Sequence, residues 1–353
     1  MTQLADSLFE NTHPQAWSQI LKQQTSTVAQ LTYSHGQFNI SEQKLQVSHH
    51  YLSLIGANIS SAMLLDLLRQ LSQVITSIEV FPLLSHNTAQ ADAMTCVLGL
   101  PAFNEQEQQK ITALVTTWRD THHVDFALVA KLPTLSKPGV VLMDMDSTTI
   151  QIECIDEIAK LAGVGEQVAA VTAQAMNGEL DFSQSLRSRV ATLEGCSETV
   201  LATVADNMPL MPGLELLIET LHNANWKVAI SSGGFTFFAD RLKQDLGFDA
   251  VYANQLEIRD ATLTGNVIGD IVDAQAKADI LIALAEQYQI PPQQTVAIGD
   301  GANDLLMLDR AALGVAIHAK PKVQAQAKVA LNHHDLDGLV AILRSSACLT
   351  LSW

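Results

Sequence analysis

Apolar and polar residues follow two different patterns along the chain, and the change falls near residue 135. Before it, apolar residues alternate in short segments, as on one face of a β-strand, or recur three and four residues apart, as on a helix. Between residues 49 and 131 the predicted elements are a strand HHYLSLIGA, a helix SSAMLLDLLRQLS, strands SIEVFPLL and AMTCVLGL, a helix NEQEQQKITALVTTWRDTH capped by Asn104, and a strand VDFALVAK. The order β-α-β-β-α-β predicts a ferredoxin-like α+β domain.

Residues 1–45 are polar, rich in glutamine and only weakly periodic, with a predicted hairpin around Tyr33–Gly36. We treat them as an extension of the first domain. The domain's plan resembles that of ACT-like regulatory domains, which bind small ligands. A structural or dimerising domain is an equally good interpretation, because the order of strands and helices does not separate these uses.

After a linker at residues 131–139, which contains two prolines and a glycine, the pattern changes. Short, mostly apolar segments now alternate with amphipathic helices: GVVLMD (139–144), WKVAIS (226–231), QTVAIG (294–299) and LGVAI (313–317). Strands of this kind suit a parallel sheet that is covered on both faces. We therefore predict a first domain at residues 1–135 and a second at residues 136–353, with a doubly wound, Rossmann-like α/β sheet.

Two insertions interrupt the second domain. Roughly 80 residues separate its first two strands, far more than a crossover connection needs. The helical pattern of this stretch predicts an inserted helical cap at about residues 152–212. A shorter segment, residues 255–268, predicts a small hairpin that turns near Asp260–Ala261.

Composition and charge narrow the class of protein. The chain has 353 residues, of which 48% are hydrophobic and 16% charged, as in a soluble globular protein with two cores. The net charge of −17 argues against broad contact with nucleic acid or an anionic membrane. We find no apolar run of membrane-spanning length and no signal-peptide pattern at the start. The four cysteines are scattered, so we expect free thiols and a cytoplasmic protein.

Residues suited to phosphate chemistry follow the strands of the second domain, where open α/β sheets bind their ligands. They are Asp144 and Asp146 in DMDST, Ser232 and Gly233 in SSGG, Lys277 in a helix, and Asp300, Asn303 and Asp304 in GDGAND. Each alone has an ordinary explanation, namely a solvated turn, a glycine after a strand or a surface lysine. Together and in this order along the chain, they are a specific indication of a site for phosphate chemistry.

These motifs, and the region from about Gly139 onward, resemble the haloacid-dehalogenase-like (HAD) phosphatases, in particular members that hydrolyse O-phospho-L-serine in the last step of serine biosynthesis. The resemblance implies that Asp144 is the nucleophile and forms an aspartyl-phosphate, and that Asp146 is the general acid and base. It also implies Mg²⁺ as the cofactor, held by the carboxylates of Asp144 and Asp300 and by the backbone carbonyl of Asp146. The implied phosphate ligands are Ser232, Gly233, Lys277 and Asn303, with Asp304 behind them.

The cap is expected to bind the rest of the substrate. O-phospho-L-serine carries an ammonium and a carboxylate besides its phosphate, and the arginine fork suits a carboxylate. The resemblance places Glu153 on the ammonium and Arg189 on the carboxylate. Met176 and Phe182 lie in the predicted cap, and we expect them to close over the substrate. The alternatives are a surface salt bridge for the charged pair and helix core for the apolar pair.

Two further functions stay open on the sequence. The same chemistry would serve another small phosphoester or a phosphoryl-transferring mutase. The chain could instead be an amino-acid sensor with a vestigial catalytic domain. We expect a small-molecule substrate and no nucleic-acid or membrane partner, and a homodimer is left open.

Overall fold

The computed structural model describes residues 2–4, 9–10, 12, 14–24, 30–41, 48–56, 59–82, 84–87, 92–176 and 179–350. The chain divides into two compact units, residues 1–135 with 328–353 and residues 136–327. Residues 328–353, which the sequence analysis places in the second domain, therefore belong to the first unit. Within the described ranges, no helix is both long and apolar enough to cross a membrane.

The elements of the first unit follow the predicted order between residues 49 and 131, apart from an additional short strand at Leu84–Asn87. Up to residue 135 they are β1 (Thr2–Leu4), α1 (Trp17–Gln24), β2 (Gln30–Ser34), β3 (Gln37–Ser41), β4 (His50–Gly56), α2 (Ser61–Leu71), β5 (Ile78–Val80), β6 (Leu84–Asn87), β7 (Asp92–Leu100), α3 (Glu105–His122) and β8 (Asp125–Val129), with a short 3-10 helix at Pro14–Ala16. Helix α3 begins where the sequence predicts, because Asn104 and Glu107 form a reciprocal capping box.

An antiparallel sheet in the order β8-β4-β7-β5 carries the β-α-β-β-α-β plan. Successive side chains of a strand point to opposite faces of the sheet. Leu52 and Leu54 of β4 therefore lie on the same face, where they pack in one core with the leucines of α2 and with Val115 of α3. The hairpin β2–β3 turns at His35 and Gly36, both at positive φ, and joins this sheet at β5. The predicted ferredoxin-like fold and hairpin are confirmed, whereas an ACT-like function stays a prediction.

The second unit alternates strands with helices. Its elements are β9 (Val140–Met143), α4 (Cys154–Leu161), α5 (Gly165–Met176), α6 (Phe182–Ala191), α7 (Thr199–Ala205), α8 (Leu214–Asn223), β10 (Lys227–Phe235), α9 (Thr236–Leu246), β11 (Ala250–Arg259), β12 (Thr262–Ile268), α10 (Ala274–Gln287), β13 (Thr295–Gly299), α11 (Leu305–Arg310), β14 (Leu313–Ile317) and α12 (Pro321–Gln324), with 3-10 turns at Pro292–Gln294 and Ala302–Asp304.

The sheet of the second unit has the order β14-β13-β9-β10-β11, all parallel, and β12 pairs antiparallel with β11. Strand β9 is central, and all four of its residues are buried. The next strand in the chain, β10, lies on one side of β9, and the later strand β13 lies on the other. The predicted doubly wound α/β fold is confirmed, and this change of direction places a ligand crevice at the carboxyl ends of β9, β10 and β13.

Both insertions are present. Helices α4 to α7 lie between β9 and β10 as a cap, and α8 then leads back to the sheet. The hairpin β11–β12 turns at Asp260 and Ala261, which have φ of 49° and 58°. Leu263 of the hairpin accepts the N–H of Gly195 (2.9 Å) and donates to the carbonyl of Cys196 (2.8 Å). The small hairpin therefore supports the cap through its backbone.

The last segment of the chain completes the first unit, with β15 (Val329–Leu331), α13 (Leu336–Ser345) and a 3-10 helix at Ser346–Thr350. Strand β15 pairs antiparallel with β8. The fully buried carboxylate of Asp125 accepts the N–H groups of residues 332–334 at 2.8–3.0 Å. On the face of β4 opposite α2 and α3, the hydroxyls of Ser53 and Ser345 lie 3.0 Å apart.

Candidate active site

Asp144 follows β9 directly and is almost fully buried, with 5% exposure. Its backbone N–H donates to the carbonyl of Ile298 in β13 (2.9 Å), which holds it to the sheet. Its Oδ1 accepts the N–H of Met145 (2.7 Å) and faces the ammonium of Lys277 (2.8 Å). Among the described residues, Oδ2 has no partner, and Asp144 lines a cavity. One carboxylate oxygen is thus held and the other is available to react.

Lys277 of α10 is fully buried between two carboxylates, with its Nζ 2.8 Å from Asp144 and 2.7 Å from Asp304. Burial alone would lower the pKa of Lys277, but the charges of Asp144 and Asp304 outweigh it and hold the pKa above its ordinary value. The side chain therefore stays a cation beneath the cavity. The second oxygen of Asp304 accepts the N–H of Gly301 (2.9 Å), so its carboxylate is fully engaged.

An acidic cluster at the carboxyl ends of β9 and β13 fits a divalent cation. One carboxylate oxygen from each of Asp144, Asp300 and Asp304 lies within 4.8 Å of the others. Burial and the charges of Asp144 and Asp304 raise the pKa of Asp300 to about 7. This rise reflects burial together with crowded negative charges, and a cation bound to Asp300 would lower the pKa again. Oxygen donors suit Mg²⁺, and Asp144 and Asp300 are better placed to bind it, because both oxygens of Asp304 are already engaged.

Asp146 lines the same cavity and is fixed from two sides. Its Oδ1 accepts the N–H of Cys154, the first residue of cap helix α4, at 3.2 Å. A Cβ placed on Gly234 would lie 2.7 Å from Asp146 Oδ2, so glycine is needed there. Burial, followed by the charges of Glu153 and Asp144, raises the pKa of Asp146 to about 8. A carboxyl that is protonated near neutral pH suits a general acid.

The residues after the apolar part of β10 form a cradle that offers a hydroxyl donor to an anion. Ser232 Oγ accepts the N–H of Gly234 (2.9 Å), which leaves its own proton free to donate to an anion. The carbonyl of Gly233 accepts Nδ2 of Asn254 (2.9 Å), and Oδ1 of Asn254 accepts the N–H of Val272 (2.9 Å). Asn254 is fully buried and ties this loop to the segment that leads into α10.

A cavity of about 580 Å³ lies over these groups. Its lining combines strand-end residues, among them Asp144, Asp300 and Asn303, with residues of the cap, among them Glu153 and Arg189. Phe182 also lines it, and a Cβ on Gly233 would lie 2.7 Å from the Phe182 ring. The side chain of Met176, together with Asn177 and Gly178, lies outside the described residues.

Glu153 and Arg189 do not form the surface salt bridge considered above. In the part of the chain that the structure describes, neither takes part in an ion pair. Glu153 accepts the hydroxyl of Ser147 (2.9 Å), and Ser147 has a left-handed backbone with φ of 55°. Burial raises the pKa of Glu153. The Nε of Arg189 is buried, and it has no partner among the described residues. Two opposite charges therefore face the cavity separately, with room for a zwitterion.

The structure thus brings the predicted site residues together, with Lys277 and Asp304 beneath the cavity and the others lining it. Their individual roles stay predictions. Ser147, Gly234 and Asn254 also hold the site together, and they were not predicted from the sequence. Ser147 and Gly234 stand inside DMDST and SSGGF, so the motifs offered a signal. Asn254 offered no signal of this kind, because its strand also contains Gln255, Glu257 and Arg259.

This arrangement defines a class of hydrolase. The family described as haloacid dehalogenase-like hydrolase matches residues 138–312. A relative from Vibrio cholerae is 56% identical over 232 residues, which are 65% of this chain and 71% of that protein. The chain belongs to the haloacid dehalogenase-like hydrolase family.

The relatives carry a more particular name. Both the Vibrio cholerae relative and one from Haemophilus influenzae, which is 57% identical over 63% of this chain and 71% of its own length, are phosphoserine phosphatases. The unliganded crystal structure of a probable phosphoserine phosphatase from Vibrio cholerae has a TM-score of 0.70 and 44% identity, covering 87% of this chain and 92% of that one. A substrate-bound phosphoserine phosphatase has a TM-score of 0.55 and 38% identity, covering 58% of this chain and 97% of that one.

Proposed function

We propose that this chain is a phosphoric monoester hydrolase, specifically a Mg²⁺-dependent phosphoserine phosphatase. It hydrolyses O-phospho-L-serine to L-serine and phosphate, as in the last step of serine biosynthesis, through an aspartyl-phosphate on Asp144. The observation that carries the proposal is the asymmetric hold on Asp144, whose Oδ1 is bound by Lys277 and Met145 while Oδ2 is left for attack. The names of the relatives and the cavity lining support the choice of substrate.

In the first step, Asp144 attacks phosphorus, and the bond from phosphorus to the seryl oxygen breaks. Asp146, which is protonated, gives its proton to the departing oxygen, so that L-serine leaves as a neutral alcohol. Lys277 keeps Asp144 oriented and offsets negative charge next to the transferring group. Ser232, Gly233 and Asn303 hold the phosphate oxygens.

In the second step, Asp146 is a carboxylate and accepts a proton from water. The water attacks phosphorus, phosphate leaves, and the carboxylate of Asp144 is restored. A covalent intermediate divides a reaction that is among the slowest known without a catalyst into two easier steps.

Mg²⁺ would be held by the carboxylates of Asp144 and Asp300 and by the backbone carbonyl of Asp146. When bound, it neutralises charge so that an anionic nucleophile and an anionic substrate can approach each other. Together with Lys277 and Arg189, the cation would offset the negative charges of Asp144, Glu153, Asp300 and Asp304, so that an anionic substrate can bind in a chain whose net charge is −17.

The cap confers selectivity. Glu153 binds the substrate ammonium, and Arg189 binds its carboxylate through a planar fork. Both groups lack an ion-pair partner among the described residues, as expected if the substrate supplies it. We also propose a cytoplasmic location, which the four unpaired cysteines support.

A phosphate-release panel tests the function. With Mg²⁺, we expect kcat/KM for O-phospho-L-serine to exceed that for sugar phosphates by at least about 100-fold, because those lack the ammonium and carboxylate. Chelation of the metal should abolish turnover, and added Mg²⁺ should restore it.

Other outcomes would contradict the proposal in recognisable ways. Comparable rates on sugar phosphates would refute the substrate, and transfer of phosphate between organic molecules without release would indicate a mutase. Binding of an amino acid without any turnover would indicate a vestigial sensor.

A further inference from the structure

Helix α6 presents one face to the cavity, made of Phe182, Ser185, Leu186 and Arg189. These positions are three, four and seven residues apart, which is the spacing of a single helical face. Two members of the face are apolar and one is the arginine. The fourth, Ser185, places a neutral hydroxyl one helical turn before Arg189.

Ser185 is a buried residue that lines the cavity, and its hydroxyl is unpaired among the described residues. The residue is only 4% exposed, and its Oγ has no hydrogen-bond partner among the described residues. The carbonyl one turn back, at Asp181, accepts the backbone N–H of Ser185 (2.9 Å) and not its hydroxyl. Thr172, the other hydroxyl that the cap contributes to the lining, instead donates to the carbonyl of Val168 (3.0 Å). An unpaired hydroxyl in the lining of a cavity is placed to bind a polar group of the ligand.

We propose that Ser185 binds the substrate carboxylate beside Arg189. This inference rests on the proposed function and deepens it. The Nε of Arg189 is also buried without a partner, so two unpaired donors stand on the same face of one helix. Residues four apart on a helix are neighbours, and a carboxylate accepts hydrogen bonds on both oxygens.

The position of Ser185 favours the carboxylate over the other two charged groups of the substrate. The phosphate cradle, Ser232 and Gly233, belongs to the loop after the apolar part of β10, and Lys277 belongs to α10. The acceptor for the ammonium is Glu153, at the start of α4. Helix α6 contributes hydrogen-bond donors. The substrate carboxylate is the acceptor for which none of these other elements supplies a donor.

The consequence is selection against phosphomonoesters that lack a carboxylate. Such a substrate would leave both Ser185 and Arg189 desolvated and unpaired, and sites built on buried hydrogen bonds reject analogues of this kind strongly. O-phosphoethanolamine provides the matched probe, since it keeps the phosphate and the ammonium and lacks only the carboxylate.

The experiment compares Ser185→Ala and Ser185→Cys with wild type on O-phospho-L-serine and O-phosphoethanolamine, using the full chain with Mg²⁺. Both variants should raise KM for O-phospho-L-serine and lower its kcat/KM by about tenfold or more, because a hydrogen bond to a charged group is lost. For O-phosphoethanolamine, kcat/KM should stay within about twofold of wild type. Ser188→Ala, on the same helix but outside the cavity lining, should leave both substrates unchanged.

Three results would overturn the inference. Equal losses on both substrates would show that Ser185 only packs the helix, and wild-type kinetics of Ser185→Ala on both would show that its hydroxyl does not touch substrate. In either case, turnover of O-phospho-L-serine by wild type would leave the proposed function standing. Wild type without such turnover would overturn the function and the inference together.

Discussion

At the residue scale, the acids of the site differ in what holds their oxygens. Asp304 has both carboxylate oxygens engaged, by Lys277 and by the N–H of Gly301. Asp144 is held through Oδ1 alone, and Asp146, which is half-buried, lies between the start of α4 and Gly234 at the carboxyl end of β10. The three aspartates therefore suit different functions in the proposed mechanism. Asp304 positions Lys277, Asp144 attacks phosphorus, and Asp146 transfers protons.

Asp144→Asn keeps the size of the side chain and removes the nucleophilic carboxylate. We expect turnover of O-phospho-L-serine to fall by at least about 10⁴-fold, because the residues of a covalent mechanism act as a unit. No phosphoenzyme should be trapped by acid quench with radiolabelled substrate. Ser231→Ala is the control. Its Oγ is buried without a partner among the described residues, and its removal should change kcat by less than about twofold. A trapped phosphoenzyme in Asp144→Asn would refute the nucleophile.

Gly234→Ala tests how closely Asp146 must be positioned. The added Cβ would lie 2.7 Å from Asp146 Oδ2 and 2.8 Å from the Met145 methyl, so the carboxyl must move. We expect kcat to fall by about 10- to 100-fold with the fold retained, since small misplacements of reacting groups are costly. Steady-state kinetics and circular dichroism measure both.

Gly165→Ala is the matched control for that substitution. Gly165 begins α5, and the nearest atom to an added Cβ is 3.9 Å away. The change should leave kcat unaltered and stabilise the helix by about 0.5–1 kcal/mol. Unchanged kcat in Gly234→Ala would show that Asp146 tolerates displacement.

At the scale of elements, the segment after β15 is fixed to β8 by one buried carboxylate. Asp125 accepts the backbone N–H groups of residues 332–334, and its Oδ2 also contacts Nδ1 of His334 (3.1 Å). Burial opposes ionisation, but the hydrogen bonds from His334 and Asn332 prevail and lower the pKa of Asp125. Burial likewise opposes protonation of His334, and the pairing with Asp125 prevails and raises the pKa of His334.

These opposite shifts give the docking of the segment a defined pH dependence. The contribution of Asp125 is present above its unfolded pKa of about 4 and is lost on acidification. That of His334 is complete below its unfolded pKa of about 6.5 and is lost as the pH rises through its raised folded value. The attachment should therefore be strongest near pH 5–6.

Asp125→Asn should weaken this attachment by about 2 kcal/mol at pH 6 and by less at alkaline pH, above the raised pKa of His334. Hydrogen exchange of residues 332–345, corrected for intrinsic rates, measures the effect locally. Asp120→Asn, an exposed acid paired with Arg119, should have no effect on the same amides. An equal loss at both pH values would exclude His334 from the attachment.

At the scale of the whole molecule, the linker at 131–139 does not divide the chain into two domains, because residues 328–353 return to the first unit. Strand β15 pairs with β8, and helix α13 buries Leu336, Leu339 and other apolar residues within the first unit. Removal of residues 1–135 takes away the partners of this segment. Whether the first unit binds an effector or forms a dimer stays a prediction.

Residues 136–353 alone should therefore have a lower melting temperature than the full chain, because the apolar residues of α13 lose their partners. The exposed apolar surface should also bind an apolar dye and promote association of the fragment. Thermal scanning and size-exclusion chromatography of the two proteins measure the difference. A monomeric fragment with the melting temperature of the full chain would show that residues 328–353 do not depend on the first unit.

Much of the molecule follows from the sequence because the signals are local. Period-two and period-3.6 patterns define the strands and helices, Asn104 caps α3, and polar tips such as Asp260–Ala261 define hairpins. The order of the strands along the chain follows from the same local patterns. It places the motifs at the carboxyl ends of β9, β10 and β13, which parallel strands bring to one edge of the sheet.

Only the tertiary structure decides which distant residues meet. The bond from Asn254 to Gly233, the contact of Gly234 with Asp146 and the unpaired hydroxyl of Ser185 have no local pattern in the sequence. Residues 328–353 look like the end of an α/β domain, yet Asp125, about 200 residues earlier in the chain, binds their backbone. Local sequence determines which element forms, because backbone and side-chain preferences act over a few residues. The partner of a buried polar group is decided by packing, which acts across the whole chain.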